Sequence, residues 1–364
     1  MYSFEPDEEQ KMLVDAVNKF AINDLRARAS ENDEEGHLPP FLVEKGWELG
    51  FLQASIPEQY GGFGERSAVT GVLAAEEMAY GDLAGALAVM TPGSFAIPVL
   101  LVGSEQQKLK YLPAIAEAQW SPYTAGIIEP YFDFDTLELR TTAFEEDDHF
   151  VITGEKMYVP YAADAEALII YARLAGNTQG FIIHRDDEGL EVGEREKTLG
   201  LYALPTYRVR LNGVRVLKSN RLGGEQGHDF SPILDAMRVA MAAMSVGVSR
   251  AALEYARDYA KEREVFKVKV AQKQAIAFMI AEMATEIEAI RLVIWEAAWM
   301  MDKGMPDASK QSYLALNGAM DMAMMVTDRA VQVLGGHGYI REHPVERWMR
   351  NGRGIAMLNG LVIV

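Results

Sequence analysis

Val331–Arg353 reads VQVLGGHGYIREHPVERWMRNGR, and it carries more of the chain's character than any other stretch. A helical pattern runs into Gly335-Gly336 and breaks at Gly338. A charged segment with Pro344 follows, and then Arg347, Arg350 and Arg353. Paired glycines remove side chains where something must approach the backbone closely. Arginines at three-residue spacing share a helical face and can hold carboxylates or phosphates bidentately. Taken alone, the stretch also fits a helix C-terminus followed by a solvated basic face, so the rest of the chain has to decide.

With 364 residues, the chain has room for two or three domains with substantial cores. A hydrophobic content of 49% and a charged content of 24% are ordinary for a globular protein. The formal net charge of −18 argues against nucleic acid and anionic membrane surfaces as partners. Without cysteine there is no disulfide, no thiolate nucleophile and no Cys-based metal site. The six histidines show no metal-ligand spacing, and His337, between glycines, reads as a turn residue. The opening MYSFEPDEEQ is acidic where a signal peptide would be basic, and no apolar run approaches the roughly 20 residues of a bilayer span. A cytoplasmic location is expected.

Apolar residues recur at helical spacing from Asp7 to Ser30, from Pro39-Pro40 through Leu49, from Ala68 to Tyr80, from Ala84 to Val102 and from Glu105 to Ala118. After Gln119 the pattern changes to short alternating or β-branched runs: 141–143, 149–152, 167–172, 180–184, 207–211 and 214–216. Turn residues separate them, and Asn212-Gly213 reads as a hairpin turn in a small antiparallel sheet. Helical periodicity returns over 231–263, 270–303 and 307–334, each long enough for a bundle. The expected organisation is a helical domain over 1–120, a middle β-domain over 121–228 and a helical bundle over 229–364, an α+β chain.

QVLGGHGYIREHPVERWMRNGR resembles the segment before the catalytic loop of acyl-CoA dehydrogenases, FAD-dependent enzymes that desaturate acyl-CoA thioesters. Other pieces match in order: Trp47-Glu48-Leu49-Gly50, Ile56-Pro57-Glu58 with Gly61-Gly62, Glu76 to Gly81, Gln106-Gln107-Lys108, Glu129-Pro130, Gly154 to Met157, and ARDYAKEREVF at Ala256–Phe266. The resemblance covers the whole chain and implies a helical N-terminal domain, a middle antiparallel β-domain and a C-terminal four-helix bundle. It also implies a reaction in which a carboxylate takes a proton next to the thioester carbonyl while hydride passes to FAD.

The same resemblance exposes departures. The family base is a Glu in a Tyr-Glu-Gly-Thr loop, or a Glu before an Arg at the start of the first bundle helix. The matching positions hold Asn359, in Leu358-Asn359-Gly360-Leu361, and Met237, in Met237-Arg238. Neither can accept the proton. Asp235 and Glu225 are the nearest acids in sequence for a relocated base.

Family members hold each FAD between two subunits, and the two contributions differ here. The segment that bonds flavin and phosphate through hydroxyls and glycine amides reads Ile128-Glu129-Pro130-Tyr131-Phe132-Asp133-Phe134-Asp135, with Tyr158 and Pro160 where a Trp and a Thr are usual. The half presented to a dimer mate is retained in Arg263, Phe266, Gln274, Gln332, Gly335 and Gly336, although Lys267 replaces a usual Gly. A site lost in cis and kept in trans implies a non-catalytic subunit of an α2β2 acyl-CoA dehydrogenase. Such a subunit completes the FAD site of a homologous catalytic subunit that binds the acyl-CoA. By family habit the substrate is a steroid side-chain thioester. Two alternatives stand beside it: an active homo-oligomer with a relocated base, and a redox-inactive CoA-thioester-binding protein. Family members continue with another helix beyond the base loop; Leu361–Val364 is an apolar, β-prone segment expected to be exposed unless a partner covers it.

Overall fold

The structure, a computed structural model, describes residues 6–117, 119–357 and 360–364, with 356 and 357 described by their backbone alone. A capping box between Asp7 and Gln10 starts α1 (Glu8–Phe20). The helix continues through a π-turn, Ala21–Arg26, into α2 (Ala27–Glu35). Pro40 opens α3 (Pro40–Trp47). α4 (Ala68–Gly81), α5 (Leu83–Met90), α6 (Gly93–Val102) and α7 (Glu105–Ile115) complete the first layer. The periodicity over Ala84–Val102 implies one helix, but the structure bends the chain by 47° between α5 and α6. Pro92, in the break, has no N–H with which to extend the α5 ladder.

The middle layer is a seven-stranded sheet: β1 (Thr124–Gly126), β2 (Thr142–Glu146), β3 (His149–Pro160), β4 (Ala167–Leu174), β5 (Asn177–His184), β6 (Leu190–Arg195) and β7 (Thr206–Leu217). β5 pairs with one edge of β4. β1 and β2 share its other edge end to end, both parallel to it, and the sheet continues through β3 and β7 to β6. Asn212-Gly213 is not a hairpin turn. β7 passes straight through it against β3, with Thr153 opposite Asn212 and Ile152 opposite Val214, so Gly213 (φ 72°) is the extra residue of a bulge. The conformation that makes Asn-Gly a good turn serves a bulge equally well.

α8 (Ser231–Glu262), α9 (Gln274–Asp302), α10 (Ala308–Leu334) and α11 (Val345–Met357) form the bundle, with a two-stranded hairpin, β8 (Glu264–Val265) and β9 (Val268–Lys269), between α8 and α9. Contrary to the sequence expectation, α8 is long and apolar enough by length and composition to cross a bilayer. Its most apolar window is 83% buried within the protein, as a core helix should be. The basic run of α11 is consumed internally. Arg350 holds Asp33 (2.6 Å) and Glu346 (2.7 Å), and Arg347 donates to Ser30, so α11 is bolted to α2. Arg353 alone of the three is exposed.

The helical layers are joined by buried charge. Arg250 of α8 donates to Glu76 (2.9 Å) and bidentately to Glu77 (2.6 and 2.7 Å), while Arg291 of α9 donates to Glu76 (2.9 Å). Both carboxylates are buried. Removing one partner of such a network leaves an uncompensated charge, so Arg250→Ala is expected to cost about 3 kcal/mol in urea unfolding. Paired replacement by Arg250→Met with Glu77→Leu should cost less, and equal losses would count against a charge-pairing role.

Candidate functional site

Gly360, the residue after Asn359, lies beside Met237. Met237 lies on the buried face of α8, and a Cβ built on Gly360 would fall 3.7 Å from its Sδ and 2.6 Å from Ile127 Cγ2 at the end of β1. Asn359 lies outside the described residues. Asp235, two residues away on α8, is committed elsewhere: Ser312 Oγ (2.7 Å), Ser309 Oγ and Arg238 Nη1 (3.3 Å) all donate to it. Glu225 sits on an exposed 3-10 turn. No free carboxylate of these two faces the Met237 position.

The segment after β1 satisfies itself. Glu129 accepts from the amides of Arg140 (2.7 Å) and Thr141 (2.8 Å) and from Lys156 Nζ (2.8 Å), which also donates to the Ile127 carbonyl (3.1 Å). Burial drives the Lys156 ammonium down to about 8 against the pull of Glu129. Burial also pushes the Glu129 carboxyl up, but the Lys156 charge and the hydrogen bonds outweigh it and leave it below the usual carboxylate range. Asp133 does not stand as a bare repelling charge: Arg140 Nη2 donates to both of its oxygens (2.6 and 2.7 Å), with the guanidinium 4.3 Å from the centroid of the Tyr131 ring. Tyr158 has left-handed backbone (φ 54°), and its amide is already bonded to Glu196 (2.8 Å).

The far end of the bundle has the opposite character. Arg263 ends α8, Phe266 and Lys267 form the turn of the β8–β9 hairpin, and Gln274 opens α9. Gln332 lies in the last turn of α10, and Gly335 and Gly336 follow it. All six residues singled out here from the sequence are exposed, Phe266 at 88%. Among the described residues the Arg263 guanidinium has no ion-pair partner. Asp258, one acid that might have taken it, is held by Arg257 (2.8 Å). The space above Gly335 and Gly336 is open, with nothing within 4 Å of a built Cβ. Arg263 and the glycines are linked through Tyr259, whose hydroxyl meets His337 Nδ1 at 2.8 Å. His337 is therefore more than a turn residue. Its partner could have been sought in Tyr255 and Tyr259, four apart on α8, since Tyr255 likewise meets His343 (2.7 Å). Lys273, 5.5 Å from the centroid of the Phe266 ring, also escaped sequence reasoning. Phe266 and Lys267 both hold positive φ (56° and 65°), a strained turn for non-glycine residues.

Residues 7–119, 124–214 and 230–361 match, in turn, the N-terminal, middle and C-terminal domains of acyl-CoA dehydrogenase. An acyl-CoA dehydrogenase of Bacillus subtilis (strain 168) is 32% identical, with 97% of this chain and 94% of the relative covered. The chain belongs to the acyl-CoA dehydrogenase family. A caffeyl-CoA reductase-Etf complex subunit of Acetobacterium woodii is 34% identical over 97% of this chain and 95% of its own length. The solved butyryl-CoA dehydrogenase of Megasphaera elsdenii superposes with a TM-score of 0.88 at 29% identity, covering 99% and 96% of the two chains.

FAD is the cofactor of the acyl-CoA dehydrogenase family, whose reaction is FAD-dependent oxidation of an acyl-CoA. The β-domain of this member fits FAD poorly. Glu129 is buried and accepts three internal hydrogen bonds, the Tyr158 amide is taken, Pro160 has no N–H, and the Arg140 guanidinium is held by Asp133 against Tyr131. The bundle end fits one portion of it: a free guanidinium for a diphosphate, open glycine backbone, and an exposed aromatic ring.

The Glu129–Lys156 pair has a pH signature. Because the folded carboxyl titrates below its unfolded value of 4.5, its stabilisation is full above that pH and is lost as pH falls through the folded value. Glu129→Gln should flatten the acid limb of thermal stability below about pH 4.5. A limb as steep as wild type would remove Glu129 from the account.

Proposed function

We propose that this chain is the non-catalytic subunit of a heteromeric acyl-CoA dehydrogenase and completes the FAD site of a homologous, Glu-bearing subunit. The observation that carries the reading is the contrast between two ends of one chain. The six residues of the partner-facing half are exposed at the bundle end, whereas Met237 occupies a buried base position and the flavin-side loop is closed on itself. In this role Arg263 pairs with the diphosphate, and Gly335 and Gly336 admit the adenine side to the backbone; Phe266, Gln274 and Gln332 line the approach. The relocated-base alternative is disfavoured by the bonding of Asp235, and a purely CoA-binding role leaves the exposed cluster unexplained.

An α2β2 assembly suits this division of labour, with acyl-CoA bound by the partner. A steroid side-chain thioester is proposed as the substrate class on the resemblance to such assemblies alone. The Acetobacterium woodii relative, described as a subunit of a complex with Etf, supports assembly as a habit among relatives.

Purified alone, the chain is expected to show no flavin absorbance, and co-expressed with its Glu-bearing partner it should raise that partner's flavin content. Arg263→Ala removes a charge-assisted contact of roughly 1.5–3 kcal/mol and should weaken FAD retention by the complex about tenfold or more. Stoichiometric FAD in the lone chain, with turnover, would overturn the reading.

A further inference from the structure

From Gly360, beside Met237 and Ile127, the chain enters an apolar slot between α1, α3, α4 and α6. Leu361, Val362, Ile363 and Val364 are at most 7% exposed, so the segment is covered by its own chain and not by a partner, contrary to the sequence expectation. Trp47, Leu52, Ala74, Met90 and Ile97 line the slot with it. Two positions without side chains make room. A Cβ on Gly71 would fall 2.6 Å from Val364 Cβ, and one on Gly93 would lie 3.4 Å from the Ile363 carbonyl oxygen. Arg66 holds the far end, its Nε donating to the Val364 backbone oxygen (3.2 Å) and its Nη2 to the same atom.

About 30 Å³ of the slot remains free. That is space for one or two waters, against the roughly 300 Å³ or more of a ligand pocket. An acyl chain whose α-carbon lies beside Met237 would extend into the adjoining apolar space, and here that space is occupied.

We infer that Leu361–Val364 is an internal occupant of this chain's acyl slot, clamped by Arg66, and that it closes the slot to acyl-CoA. The inference shares with the proposed function its placement of the base positions, but it does not depend on the trans role toward FAD.

The chain has no cysteine, so Val362→Cys introduces a single thiol at a fully buried site. In the native protein it should react with a soluble aromatic disulfide at least about 100-fold more slowly than in urea, and adding Arg66→Ala should speed that reaction about tenfold or more. Native labelling as fast as in urea overturns the inference. In calorimetric titration with octanoyl-CoA, the wild-type chain should give no saturable binding, and Arg66→Ala or deletion of 361–364 should create it. Octanoyl-CoA binding by wild type, while the thiol introduced at position 362 stays protected, also overturns it, and neither result requires the deletion to fold. Flavin content separates the two proposals: an open slot in a subunit that still raises its partner's FAD overturns only the plug, and a closed slot without flavin gain overturns only the trans role.

Discussion

Two adjacent carboxylates on α4, Glu76 and Glu77, hold the helical layers in register. Charges this deeply buried are tolerated only when paired, and the partners, Arg250 and Arg291, come from two different bundle helices. A slide of α8 or α9 along α4 by one turn would strand charge on both sides of the interface. A second tie sets the other end. Asp302, the last residue of α9, accepts from the Ser67 hydroxyl (2.8 Å) and the Ala68 amide (2.7 Å) at the start of α4. With α9 held at two points, the hairpin that precedes it and the Arg263 that ends α8 have a defined place.

That rigidity fixes the exposed bundle end and the closed loop after β1 as separate regions of one chain, the contrast on which the proposed role rests. In the loop after β1 and in β3, donors have found internal partners: Arg140 in Asp133, the Tyr158 amide in Glu196. The bundle end keeps the Arg263 guanidinium in solvent, where it costs nothing in desolvation. It also keeps strained backbone at Phe266-Lys267, held by the hairpin around it.

Much of this was legible in the sequence because it rests on period. The long helices, the strands around β3 to β5, and the order of the three layers follow from spacing, and the base positions follow from matched motifs. What could not be read depends on distance or on degenerate local chemistry. Asn212-Gly213 supplies a left-handed residue for a turn or for a bulge, and only the pairing of β3 decides which. β1 has three residues and LEVGER of β6 is largely charged, so neither carries an apolar signal. Arg350 looks like a ligand arginine until Asp33, more than three hundred residues earlier, is placed beside it. Leu361–Val364 looks exposed until Gly71 and Gly93 are seen to leave a groove for it.

The apolar core helix has a consequence for synthesis. α8 packs against α4, which precedes it, and against α10, which follows it and must still be translated when α8 emerges from the ribosome. Vectorial folding can therefore cover one side of α8 at once, while the other waits with its Met and Ala side chains in water. During that interval the chain displays a helix of bilayer-spanning length and apolarity, and prompt packing against α4 shortens the exposure of its apolar surface.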